Sequence, residues 1–234
     1  MDPLGSAEVG FGGTRLFLLP DRAVYWPDEC CLIVADIHIG KAATFRHHGL
    51  AIPEGDTATD LERLSKLIVR TGAEKLIIAG DLLHAAAAKT SPVRQAVTAW
   101  RQQHSSLEIV LVSGNHDKAS GTLPDDWKMI EHPNDFALPP ISFVHDPADV
   151  TDTTMAHVCG HLHPAIRLSE GRLRSLVAPC FWLRPSASDS LVVPGFGSFT
   201  GSKAITPAKT DQVFAVAGNS VIEVTPQLLA DRAR

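Results

Sequence analysis

From residue 14 onward the chain alternates short apolar runs with longer stretches in which apolar residues recur at helical spacing. TRLFLLPDRAVYW (14–26) predicts two short strands around a Pro20-Asp21 turn. Cys31-Leu32-Ile33-Val34-Ala35 is apolar throughout, the pattern of a strand buried on both faces, and it runs into Asp36-Ile37-His38. The stretch 57–70 carries Leu61, Leu64, Leu67 and Ile68 on one helical face, with Asp56 as cap and Gly72 as stop. A second apolar strand, Lys75 to Ala79, ends in Gly80-Asp81. Ser91-Pro92 then opens a helix reaching about His104, because proline suits a first helical position. The third run, Leu107 to Val112, stops at Gly114-Asn115-His116-Asp117. The first half therefore reads strand, helix, strand, helix, strand, with a polar cluster closing each strand.

The second half changes character. Ile141 to Val144, Thr154 to Val158, Ala165 to Leu168, Arg172 to Val177, Leu191 to Val193, Gln212 to Val216 and Val221 to Val224 read as strands, with Glu170-Gly171 and Gly218-Asn219 as hairpin turns. The expectation is an α/β fold in which a second, more antiparallel sheet packs on the first, with helices outside. No Gly/Ser linker, charge block or repeat divides the chain, so residues 1–234 are read as one domain.

Composition narrows the classes of partner. The net charge of -5 gives no global electrostatic footprint for nucleic acid, so contact with a polyanion must rest on a local patch. No apolar stretch approaches a membrane span and the N-terminus lacks the basic and apolar regions of a signal peptide, so the expected location is cytoplasmic. Cys30, Cys31, Cys159 and Cys180 form no CxxC pair and read as free thiols, with Cys159 near a histidine cluster.

The positions of the histidines carry more. Asp36 with His38, Asp81, Asn115 with His116, His145, and His161 with His163 all stand at the ends of predicted strands. Residues two apart on a strand face one side, so Asp36/His38 and His161/His163 can each aim two donors at one place. Carboxylates, imidazoles and an amide oxygen suit Mn, Fe, Zn or Ni. Asp81 is the natural bridge, since one carboxylate can serve two ions roughly 3.5–4 Å apart. Gly80, Gly114 and Gly160 each precede a donor, and are expected to allow φ > 0 and close backbone approach there.

The ordered set DIH, GDLLH, GNHD, a strand-end His and GHLH, within residues 30–164, resembles the five motifs of the calcineurin-like metallophosphoesterases. The resemblance implies a four-layer α-β-β-α sandwich of two mixed sheets and a dinuclear metal centre. Carried over by motif, Asp36, His38, Asp81 and His163 would hold one ion and Asp81, Asn115, His145 and His161 the other, with His116 as the acid beside them. DIHIGKAATFRHHGLAIPEG and VPGFGSFTG are more narrowly similar to the bacterial ligase-associated DNA-damage-response endonucleases of the PdeM type. That likeness implies a manganese-dependent phosphodiesterase acting on DNA, taken as single-stranded, with repair ligases or helicases as partners. A homodimer is compatible with the superfamily.

Two divalent ions would polarise a phosphoryl group and ionise a bridging water for in-line attack. His116 is then expected to bind the phosphate and protonate the leaving oxygen. Asp117 either orients His116 or stabilises the turn. His84 is a candidate phosphate contact or an exposed helix-start residue; Lys41 and Arg46 are candidate phosphate contacts or solvated charges. His132 and His157 compete with His145 as ligand, but only His145 ends an apolar run. His47 and His48 take no ligand role. Trp100 reads as core, Trp182 stays open, and Gly195-Phe196-Gly197 is either a site-edge loop or a turn. The competing functions are a small-molecule phosphodiesterase or phosphomonoesterase on the same centre, and a noncatalytic interaction module.

Overall fold

The computed structural model describes residues 5–47, 56–85, 91–170, 174–186 and 189–224. In it, four strands bring the chain to the first apolar run: β1 (Ala7–Phe11), β2 (Thr14–Leu19), β3 (Ala23–Trp26) and β4 (Cys31–Val34). They are followed by α1 (Lys41–His47), α2 (Asp56–Thr71), β5 (Lys75–Ile78), α3 (Ser91–Gln103), β6 (Glu108–Val112), α4 (Asn115–Ser120) and β7 (Ile130–His132). These seven strands form one sheet in sequence order, antiparallel from β1 to β4 and parallel from β4 to β7.

The second sheet takes β8 (Asp135–Leu138), β9 (Ile141–Val144), β10 (Ala156–Cys159), β11 (Pro164–Glu170), β12 (Arg174–Arg184), β13 (Ser190–Val192) and β14 (Lys203–Ala204), in the order β14-β11-β12-β13-β10-β9-β8. β15 (Gln212–Ala217) pairs with β12 and with β16 (Ser220–Glu223) across the Gly218-Asn219 turn. Only β10 with β9 and β13, and β11 with β14, run parallel, so this sheet is mixed and mostly antiparallel.

Alternation along the parallel strands explains why they read as unbroken apolar runs. Leu32, Val34, Leu76, Ile78, Ile109 and Leu111 face α2 and α3, meeting Leu61, Leu64, Leu67, Val97 and Trp100. Cys31, Ile33, Ile77, Ala79, Val110 and Val112 face the second sheet, where they meet Ile141, Phe143, Val158, Phe181 and Leu191. Two buried faces leave β5 and β6 polar only at their first residues, Lys75 and Glu108. The outer face of the second sheet carries a smaller cluster of Ile166, Ala178, Cys180, Val213, Ala215 and Val224. Leu64 is almost wholly buried under the first sheet. Leu64→Ala is therefore expected to cost about 2–5 kcal/mol, measured by urea denaturation.

Several strands escape the apolar pattern in whole or in part. β1 contains Gly10 and alternates weakly; its signal was the two-residue Gly12-Gly13 turn, both at positive φ, that pairs Phe11 with Thr14. β7 is short and largely exposed, and β8 is only four residues long, with just Phe136 and Leu138 set against the core. β12 runs to Arg184, well past the predicted end at Val177. It pairs with β11 as far as Pro179 and with β13 and β15 from Cys180 onward, so the proline that masked its continuation sits where it changes partners. The predicted Glu170-Gly171 turn falls between β11 and β12, where residues 171–173 lie outside the described residues, as does His48. Among the described residues no helix is long and apolar enough to cross a membrane.

Candidate metal centre

The carboxyl ends of β4, β5, β6, β9 and β10 meet at one seam between the sheets, and the residues just beyond them converge. Asp36, His38, Asp81, His161 and His163 all take left-handed backbone, with φ of 53°, 52°, 49°, 67° and 43°. For residues other than glycine this costs on the order of 1–3 kcal/mol each and persists only where the surroundings impose it. The expectation that the glycines would supply the positive φ holds at Gly80 (φ 89°) but not at Gly114, which is at -81°. Gly114 and Gly160 serve close approach instead. A Cβ at 160 would lie 2.6 Å from the Ala79 carbonyl, and one at 114 would lie 2.6 Å from the Asp81 backbone nitrogen and overlap its carboxylate. Gly114→Ala is thus expected to cost about 1–3 kcal/mol and to displace Asp81, read as a lower thermal midpoint together with reduced bound metal.

Two sets of donors result, each with ligand atoms within 4.8 Å of one another: Asp36, His38 and His163, and Asp81, His145 and His161. Asp81 Oδ2 stands between them, 3.8 Å from His38 Nε2 and 3.5 Å from His145 Nε2. Asn115 Oδ1 joins the second set, 3.3 Å from His145 Nε2, and His161 Nδ1 lies 3.2 Å from that same nitrogen. In the first set His163 Nε2 is 3.3 Å from Asp36 Oδ1, a buried oxygen with no hydrogen-bond donor. A buried orphan carboxylate oxygen and nitrogens facing one another are what a bound cation would satisfy. The residues fit two divalent ions.

The outward-facing ring nitrogens are held by the protein. His145 Nδ1–H donates to the Ala79 carbonyl at 3.1 Å and His163 Nδ1–H to the Gly201 carbonyl at 3.0 Å, which leaves Nε2 of each ring for a ligand. Asp146 Oδ2, 3.4 Å from His161 Nε2, does the same for the third ring. Sequence reasoning passed over Asp146, although it directly follows a candidate ligand.

The charges agree with this arrangement. Burial pushes His38 down to about 3, keeping it neutral as a metal ligand must be. Burial also opposes the charged form of His145, but the Asp81 hydrogen bond and the Asp36 and Asp81 charges outweigh it and lift the ring to about 9. Burial likewise works against ionised Asp81, yet His145, the His116 amide and His38 hold its carboxyl below the usual range. At His145 the two carboxylates favour a positive charge, and a divalent cation held there would meet the same negative charge in the proton's place.

His116 sits beside the bridge. Its amide donates to Asp81 Oδ1 at 2.9 Å and its Nδ1–H to the His84 carbonyl at 2.7 Å. Its ring stacks on His84 and meets His38 edge-on, with centroids 4.9 and 5.0 Å apart. His38, His84 and His116 thus form a third close group, an all-imidazole face over the first set. Burial, with Lys41 and His116 nearby, pushes His84 down to about 4, so its ring is neutral. Lys41 heads α1, drawn down by burial and up by the Asp36 and Asp81 charges. Arg46 lies farther along the same helix.

Asp117 does not orient His116. Its buried carboxylate accepts from the amides of Leu82 (3.2 Å), Leu83 (2.8 Å) and Gly114 (3.0 Å), so of the two roles open in the sequence the structure supports the turn. It ties GNHD to GDLL, and the His84 carbonyl takes the orienting role. Cys159 is fully buried, which pushes its thiol up to about 12, and it joins neither donor set. Trp100 is core, with its indole N–H on Ser65 Oγ, and Trp182 donates to Asp211. His157 is turned onto the Asp152 carbonyl, and His132 packs against Phe136. Of the three competing histidines, the structure brings only His145 to the donor sets.

The chain belongs to the calcineurin-like phosphoesterase family, whose model matches residues 31–163, the span that holds every donor described above. It is accordingly a phosphoesterase, a hydrolase of phosphate esters. Among solved structures, the Pseudomonas putida nuclease MPE is similar at a TM-score of 0.80 and 32% identity, over 94% of this chain and 100% of that one. The E. coli phosphoesterase Yfce aligns over 83% of this chain and 98% of its own, at a TM-score of 0.41 and 17% identity. The DNA double-strand break repair protein Mre11 of Archaeoglobus fulgidus is 28% identical over 88 residues, 37% of this chain. That match spans 19% of the Mre11 chain.

Proposed function

We propose that the protein is a dinuclear, manganese-dependent phosphodiesterase that cuts single-stranded DNA internally, in association with repair. The observation that carries this is Asp81 Oδ2, a single oxygen facing His38 on one side and His145 on the other. Asp36, His38, Asp81 and His163 would hold one ion and Asp81, Asn115, His145 and His161 the other. Two ions there supply Lewis acidity toward a phosphoryl group and a water ionised near neutral pH. The chain's own part is positional and acidic. His116, fixed through Nδ1, presents Nε2, which in the imidazolium form donates a proton to the leaving oxygen. His84, Lys41 and Arg46 complete a face for the phosphate. The nuclease MPE supports a nucleic acid as substrate, and ligase or helicase partners would follow from the repair role.

One observation favours a compact diester instead. A cleft of about 590 Å³ opens beside Asn115, His145 and His161, lined by Asp135, Asp146, Asp149 and Asp152 with Lys118 as its one lysine. Such a wall repels a phosphate backbone. The deciding experiment is cleavage of circular single-stranded DNA after chelation and Mn²⁺ add-back, with Asn115→Ala and His116→Ala alongside. Manganese-dependent nicking lost in both variants is expected. An intact circle with a simple diester still hydrolysed would keep the centre and sink the DNA assignment.

A further inference from the structure

We propose that Asp60, Arg63 and Arg22 are positioning residues for the half of the centre built on Asp36 and His163, acting through segment 195–201. The inference rests on the metal-centre reading above. The segment (GFGSFTG) lies between β13 and β14 and belongs to no strand or helix. It is nevertheless bonded onto the ligands at both ends. The Phe196 amide donates to the Ala35 carbonyl (2.8 Å) and the Gly197 amide to the Asp36 carbonyl (3.2 Å), while the Gly201 carbonyl receives the His163 ring proton (3.0 Å). Gly197 passes so close to Ile37 that a Cβ there would overlap the Ile37 carbonyl.

Side chains from elsewhere hold this segment in shape. Asp60, on α2 and 4% exposed, accepts the Ser198 amide on both oxygens (3.0 and 2.9 Å) and the Ser198 hydroxyl at 3.2 Å. Arg63, one turn on, donates to Asp60 (2.8 Å), to the Phe196 carbonyl (3.0 Å) and to the Asp21 carbonyl (3.0 Å), with its guanidinium 4.1 Å above the Phe196 ring. Arg22, in the β2–β3 turn, donates to the Gly195 carbonyl at 2.9 Å. None of the three reaches a metal ligand directly, so whatever they contribute passes through the backbone of 195–201. Removing one partner of a mostly buried charge network leaves the others unsatisfied and frees the segment they hold. The His163 ring would then lose its fixed tautomer and Asp36 the amide on its carbonyl. Partners of this kind, one step removed from a ligand, change metal affinity by roughly 10–100-fold when deleted.

The test is Mn²⁺ titration of the chelator-treated full chain, followed by the EPR signal of the free ion. The wild type is expected to bind two ions. Asp60→Ala should keep one site near wild-type affinity and weaken the other by roughly 10–100-fold. Arg63→Lys, which keeps the charge but not the fork, should fall between, and Ser198→Ala should stay near wild type because the backbone amide bonds survive. Val97→Ala, on α3 and fully buried against the same sheet, is the control for general destabilisation. It should lower the thermal midpoint and leave both affinities in place. Wild-type affinity at both sites in Asp60→Ala, or an equal weakening in Val97→Ala, would overturn the proposal. Should Asp60→Ala fail to fold, Arg63→Lys decides by the same two criteria. A wild-type chain that binds no ion would instead overturn the metal-centre reading itself.

Discussion

Asp81→Asn is expected to lower phosphodiester hydrolysis by at least about 10³-fold and to reduce bound manganese from two ions to one or none. The substitution keeps shape and can keep an oxygen for the His116 amide, now 2.9 Å from Oδ1. What it removes is the charge and the second oxygen, which faces His38 and His145 at once. An amide NH₂ in that place presents donors where lone pairs are required. If Lewis-acid stabilisation is worth several kcal/mol, losing it corresponds to a factor of about 10³ or more. Metal analysis beside steady-state rates checks both halves of the expectation. A variant with both ions and its rate intact would mean that Asp81 is not the bridge.

His116→Ala should separate chemistry from metal binding. Its amide bond to Asp81 is made by the backbone and survives, so metal content is expected to stay near wild type. The rate should fall by about 10²–10⁴-fold, the range for loss of a positioned general acid. The loss should be greatest for an alkoxide leaving group, as in DNA, and much smaller for a nitrophenyl ester, which departs without a proton. Equal losses on both substrates would argue that His116 binds phosphate rather than donating a proton. His84→Ala should be milder, because the group that orients His116 is the carbonyl of residue 84, which alanine retains.

The donors themselves were legible because their chemistry is concentrated at strand ends: an apolar run followed by Asp or His is readable without coordinates, and β4, β5, β6 and β9 end within a residue or so of where the runs stop. Asp36, His38, Asp81, Asn115, His145, His161 and His163 come together, with Asp36 and His38 in one set as their spacing implied, whereas His161 and His163, on left-handed rather than strand backbone, go to different sets. The supports of those donors were not legible. The carbonyls of Ala79, His84 and Gly201 carry no sequence signal, since every residue has one. Asp117 stayed open between two roles because a carboxylate next to a histidine looks like its partner, whereas in α4 it turns back to three amides. The link from Asp60 to Ser198 joins residues far apart in the chain, and neither lies in a pattern that points to the other. Brevity hid β7 and β8: β7 is largely exposed, and β8 sets only Phe136 and Leu138 against the core.

The placement of the donors also has a mechanical side. Asp36, His38, Asp81 and Asn115 follow strands of one sheet, and His145, His161 and His163 follow strands of the other. A loaded centre is therefore a rivet through the sandwich, and the two sheets can part only by tearing donors from the ions. Resistance of the chain to proteases should therefore rise steeply with manganese.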